Sequence, residues 1–131
     1  MKTKKIWANL GVADLERTTR FYTEIGFKFN GTAKDLTSFT IGDDNFVINF
    51  FLNAALKPAL KGELADLQKG NEIIFTLGAQ SKKEVDSWEQ EISRAGGNII
   101  SRPEEFGEGY YGFVFSDPDG HKYNVFFMEG I

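Results

Sequence analysis

The order of elements along this chain repeats. Residues 6–51 run strand, helix and three short strands, and residues 71–127 run the same order again. The halves also end alike, with Phe46-Val47-Ile48-Asn49-Phe50 closing the first and Lys122-Tyr123-Asn124-Val125-Phe126 closing the second. A unit this small, with one apolar sheet face, cannot bury that face alone, whereas two copies can pack around a shared cleft. The expected fold is therefore α+β, with two βαβββ modules in a single domain: module one over residues 1–52, a linker over 53–70 and module two over 71–131.

Local signals support each half. Residues 6–12 suit a strand, and Asp14 can then cap a helix whose Leu15, Thr18, Tyr22 and Ile25 share one face. Gly26 stops it, and strands are expected at 27–30, 36–41 and 46–52. The linker holds Pro58, Gly62 and Gly70, with Leu60, Leu64 and Leu67 spaced for one or two helical turns. The second half opens with a strand from Glu72 to Leu77, followed by a capping box in Ser81-Lys82-Lys83-Glu84. Val85, Trp88, Ile92 and Ala95 form the buried stripe of the helix that Gly96-Gly97 ends. Strands at 98–101, 111–116 and 122–128 complete the half, the last two joined by the turn Asp117-Pro118-Asp119-Gly120.

Composition narrows the function classes. Net charge is −4, and no basic cluster exceeds Lys2, Lys4 and Lys5, which argues against nucleic acid or an anionic membrane as partner. There is no cysteine, so disulfides, thiolate metal sites and cysteine nucleophiles are excluded. No apolar run reaches the length of a signal peptide or a membrane span, and a cytoplasmic protein is the expectation. Thirteen Phe residues give a bulky interior, part of which could line a ligand pocket.

Two stretches carry a family likeness. Asn9-Leu10-Gly11-Val12-Ala13-Asp14-Leu15, followed by Phe21-Tyr22 and Gly26-Phe27, resembles the opening of the vicinal oxygen chelate superfamily. That superfamily includes glyoxalase I, bleomycin-resistance and fosfomycin-resistance proteins and extradiol dioxygenases. Asp117-Pro118-Asp119-Gly120-His121 before an apolar strand resembles its closing signature. The likeness spans nearly the whole chain and is nearest to the branch of lactoylglutathione lyase-like proteins. It implies paired modules around a cavity and, for many members, a homodimer. In metal-using members it also implies a divalent ion held at four inward positions, which the flanking motifs place here at Trp7, Asn49, Glu72 and Asn124.

These four side chains are a poor metal set. An indole N–H only donates, and amide carbonyls are weak neutral ligands. Zn²⁺, Ni²⁺ or Fe²⁺ would require imidazole or several carboxylates, and the single histidine, His121, is expected in a surface turn. No metal or other cofactor is expected. Glu72 has two candidate roles and a bland alternative. Enclosed among aromatic side chains, a carboxylate is tuned by desolvation for acid–base work, or it can pair with a cationic ligand. Otherwise it is a strand-end glutamate facing water. Asn49 and Asn124, with Asn9 on the same face as Trp7, could hydrogen-bond a ligand or only neighbouring backbone. Trp7 could stack on a flat ligand or fill core. Tyr111 and Phe113 follow Gly107-Glu108-Gly109, either a loop that closes over a pocket or an ordinary strand connection.

Two functions remain open. One is a small-molecule binding protein holding an aromatic or cationic compound without a complete metal site. The other is a lyase or isomerase of the lactoylglutathione lyase type, with Glu72 as proton shuttle and an asparagine amide steadying an enolate oxygen. A relative with no ligand, kept for dimer or partner contacts, is a third reading.

Overall fold

The structure, a computed structural model, describes residues 1–130. The elements in order are β1 (Trp7–Val12), α1 (Leu15–Glu24), β2 (Lys28–Ala33), β3 (Leu36–Ile41), β4 (Phe46–Leu52), α2 (Asn53–Leu60), β5 (Ile74–Gly78), α3 (Lys82–Ala95), β6 (Asn98–Phe106), β7 (Tyr110–Ser116) and β8 (Lys122–Met128). They fall into two units, Met1–Leu64 and Ala65–Ile131. Each unit holds one four-stranded sheet, ordered β1-β4-β3-β2 in the first and β5-β8-β7-β6 in the second. In both, the first and last strands of the module pair in parallel and the other neighbours are antiparallel. The α+β architecture of two βαβββ modules is the one expected from the repeat.

In the first unit Asp14 caps α1 by accepting from the backbone N–H of Arg17 at 3.1 Å. Thr18, Phe21 and Tyr22 are the buried positions of the helix. Tyr22 stacks on Phe50 with ring centroids 4.4 Å apart and tilts against Phe39 at 5.7 Å. Phe39 and Phe50 are both fully buried, so the odd positions of β3 and the even positions of β4 face α1. Burying rings of this size is worth about 1.5–3 kcal/mol each, which fixes which face of the sheet is core. A β-bulge between Phe29 and Gly31 interrupts the pairing of β2 with β3. Residues 53–60, expected as linker, form α2 instead, earlier in the chain than the turns suggested by Leu60, Leu64 and Leu67. A Cβ at Gly11 would lie 2.4 Å from Asn53 Oδ1 and 3.3 Å from Leu56 Cδ2, so the bare glycine lets α2 approach β1.

In the second unit the Ser81 hydroxyl accepts from the N–H of Glu84 at 3.0 Å, and Gly96, at φ +102°, ends α3. Val85 and Ile92 are buried, as are Phe113, Phe115, Tyr123 and Val125 across the sheet. Phe115 and Tyr123 stack at 5.0 Å. Strand β6 runs to Phe106, well past the expected end at Ser101. It lies at the sheet edge and carries two irregularities in register, which is where Pro103 can sit in a strand without breaking a ladder. Gly107 to Gly109 make the hairpin turn between β6 and β7, closed by the Phe106–Tyr110 pair. It is an ordinary strand connection rather than a closing loop.

His121 departs from expectation. It is buried rather than at the surface, with Nδ1 2.8 Å from Asp117 Oδ2. The other oxygen of Asp117 accepts from the backbone N–H groups of Asp119, Gly120 and His121 at 2.9–3.0 Å. The aspartate thus organises the whole turn and anchors the imidazole inside it. No helix among the described residues is long and apolar enough to cross a membrane.

Candidate functional site

Because α1 covers one face of the β1-β4-β3-β2 sheet, the alternate residues stand on the other. Asn9 of β1 lies opposite Asn49 of β4, and Asn49 lies opposite Ser38 of β3. Their side chains are joined. Ser38 Oγ donates to Asn49 Oδ1 at 2.7 Å, and Asn49 Nδ2 donates to Asn9 Oδ1 at 3.1 Å. At the far side Asn30, the extra residue of the β2 bulge, donates from Nδ2 to Ser38 Oγ at 3.0 Å. A ladder of three amides and one hydroxyl therefore crosses all four strands. Ser38 is buried and Asn49 half-buried, so these groups need partners and have found one another. Trp7, two residues before Asn9, shares this face and is 50% exposed. The Lys5 ammonium stands 5.9 Å from the Trp7 ring centroid, within cation–π range.

Of the expected site residues, the fold thus brings Trp7, Asn9 and Asn49 together on one face. Asn30, Ser38 and Lys5 belong with them and were not foreseen. The signal for Ser38 was present: the turn after Ile41 sets the β3–β4 register, and that register puts Ser38 opposite Asn49. The bulge that recruits Asn30 has only Gly31 as its mark, at φ +115°.

In the second unit Asn124 is half-buried on the face away from α3, opposite Thr76. Glu72 is exposed in a bend two residues before β5, which begins at Ile74 and not at Glu72 as expected. The parallel pairs of the two units show the relationship. Asn9 faces Asn49 as Thr76 faces Asn124, so Ile74 is the counterpart of Trp7 and Glu72 that of Lys5. Exposure agrees, at 49% for Ile74 and 50% for Trp7.

Tyr111 and Phe113 stand on the opposite face of their sheet from Asn124, against α3. Phe113 is buried with Val125 as its cross-strand partner. The Tyr111 hydroxyl donates to Asp86 Oδ1 at 2.5 Å, and Lys82 Nζ lies 5.4 Å from its ring centroid. That hydrogen bond, with lesser contributions from burial and from the charges of Asp86 and Glu105, pushes the phenol up to about 12.

The divalent ion implied by the resemblance does not fit these residues. Asn49 Oδ1 and Asn9 Oδ1 already accept hydrogen bonds within the ladder, and the Trp7 indole has only a donor. Among the described residues no three of His, Asp or Glu gather as a metal-holding group. A lone amide at Asn124 and a carboxylate in a bend are too few strong oxygens for a hard cation.

Comparison with known proteins bears on the fold as a whole. A hypothetical protein of S. aureus is 29% identical, superposes with a TM-score of 0.86, and the match covers 97% of this chain and 95% of that one. A glyoxalase-related enzyme from Fulvimarina pelagi matches at TM-score 0.84 and 20% identity over 95% and 88% of the two chains. A lactoylglutathione lyase from Agrobacterium tumefaciens matches at 0.72 and 20% over 96% and 95%. No curated protein matches the sequence. The sequence profile of one superfamily matches residues 6–125, nearly the entire chain. With both modules in the expected order and that profile spanning them, the chain belongs to the Glyoxalase/Bleomycin resistance protein/Dioxygenase superfamily.

Proposed function

We propose that this protein is a small-molecule binding member of its superfamily that works without a metal centre. The observation that carries this reading is the Asn30-Ser38-Asn49-Asn9 ladder. It lines the face of the first sheet away from α1 with neutral groups hydrogen-bonded to one another, beside an exposed indole suited to a flat ligand. Binding of this kind requires no nucleophile. The case for a cationic ligand rested on Glu72, which stands in an exposed bend outside β5.

The protein is further proposed to act as a homodimer. In support, β1 and β5 are the edge strands of their sheets and are flanked by exposed apolar side chains, among them Ile6, Trp7, Ile73 and Ile74. Bare apolar edges are normally covered in natural proteins. Light scattering reporting a monomer at micromolar concentration would remove this part of the proposal.

The test is a thermal-shift screen of aromatic acids, cationic aromatics and glutathione thioesters, each with and without divalent ions and chelator. The expected result is a rise in Tm with an aromatic compound that is unchanged by chelator. A rise that depends on a divalent ion would overturn the reading. So would turnover of a hemithioacetal that is lost in Glu72→Gln, the result that favours the lyase.

A further inference from the structure

We propose that the face around Trp7 and Asn9 selects a flat ligand carrying an acceptor oxygen, an aromatic carboxylate in its simplest form, and rejects cations. This rests on the small-molecule reading above and names the class of ligand.

The selectivity comes from the direction of the ladder. Asn30 donates to Ser38, Ser38 to Asn49 and Asn49 to Asn9, so every donor points the same way along the row. The row ends at Asn9 with Oδ1 already accepting, while among the described residues nothing accepts from its Nδ2. Asn9 is exposed, so this NH₂ is offered to whatever lies over the face. Ser38, buried behind, holds Asn49 in the orientation that keeps Asn9 turned this way.

The neighbours along the chain reinforce the preference. Lys5, Trp7 and Asn9 alternate, and the contact of the Lys5 ammonium with the Trp7 ring puts both at this end of β1. The ammonium and the indole N–H are donors with no acceptor capacity. An ammonium, an indole N–H and an amide NH₂ thus follow one another along one alternating row, with an exposed aromatic plane between the two ends and no carboxylate in the ladder. A carboxylate can accept from the amide and meet the ammonium while its ring lies on the indole. A cation would meet the NH₂ of Asn9 and the Lys5 ammonium, with Asn9 Oδ1 already engaged by Asn49.

The experiment uses the full chain, ¹⁵N-labelled, titrated with naphthalene-2-carboxylate and with its cationic isostere naphthalene-2-carboxamidine. The expected result is saturable movement of the Trp7 indole N–H and the Asn9 side-chain amide signals with the carboxylate, at an affinity at least tenfold above that for the amidine. Asn9→Asp, with its fold verified from the same spectra, should reverse the order. Lys5→Gln should weaken the carboxylate several-fold and spare the amidine. Tighter binding of the amidine to the unaltered protein would overturn this inference and leave the small-molecule reading intact. Saturable shifts confined to other residues would overturn the placement alone. No saturable shift with either probe would overturn the inference, and only an empty thermal-shift screen would take the broader reading with it.

Discussion

Asn49 and Asn9, forty residues apart in sequence, are joined side chain to side chain at 3.1 Å across the parallel pair of β1 and β4. That bond exists because Ser38 occupies the other end of the Asn49 amide at 2.7 Å. In Ser38→Ala the half-buried Oδ1 of Asn49 loses its donor, and leaving such a group unsatisfied costs about 1–3 kcal/mol. Urea unfolding should show a loss in that range with an unchanged m-value. A neutral result would mean that the ladder contributes nothing to the first unit.

Two glycines separate backbone from side-chain constraint. A Cβ at Gly112 would lie 2.1 Å from the Val125 carbonyl oxygen and 2.9 Å from the Phe126 Cα, both main-chain atoms of β8. At Gly11 the closest atom is the side-chain oxygen of Asn53, which can rotate away. Gly112→Ala should therefore be the more damaging change, by at least about 1–3 kcal/mol of strain, with Gly11→Ala the milder. Thermal unfolding of the two variants ranks them directly, and the reverse order would contradict the tight approach of β7 to β8.

Tyr111 predicts a pH effect of definite sign. Its phenol ionises at about 12 in the folded protein against an ordinary 10.0, chiefly because its proton is held in the bond to Asp86. The folded state binds that proton more tightly than the unfolded state does. The associated stability is thus complete below pH 10 and drains away as pH rises through about 12. Absorbance of the tyrosinate should show a late-ionising component that Tyr111→Phe removes and Asp86→Asn moves down towards the ordinary value. An unmoved component in Asp86→Asn would refute the assigned cause.

The start of α3 depends on one hydroxyl. Ser81 Oγ accepts from the Glu84 N–H at 3.0 Å, as Asp14 does for Arg17 at the start of α1. Ser81→Ala should cost about 1 kcal/mol, read as a lower midpoint in urea, and Ser81→Asp should restore most of it. Failure of the aspartate to rescue would show that the serine acts otherwise than as a cap.

The fold was largely legible in the sequence because its signals are local. The limits of β3, β4 and β8 were read correctly from alternation and bounding turns, and both helix caps from single side chains. Errors arose where pairing at a distance decides. The start of β5 is set by Ile74 opposite Lys122, which moved Glu72 out of the strand and into a bend. His121 looks like a turn residue in sequence, and only the carboxylate four positions back explains its burial. Tyr111 and Phe113 were drawn to the site by their place after a glycine-rich turn, yet strand alternation turns both towards α3. Asn9 and Asn49 were recognisable as candidates, but the ladder joining them required the cross-strand register of Ser38 and the bulge at Asn30.

The central claim is that amides hydrogen-bonded to one another line the face of the first sheet away from α1 and hold no metal ion there. It is tested most directly by titrating the ¹⁵N-labelled protein with Mn²⁺ and following paramagnetic broadening of the side-chain amides of Asn9, Asn49 and Asn124. The account predicts that these signals persist at stoichiometric Mn²⁺ and broaden only weakly and without saturation. Selective loss of the Asn9 and Asn49 signals at one equivalent would contradict it.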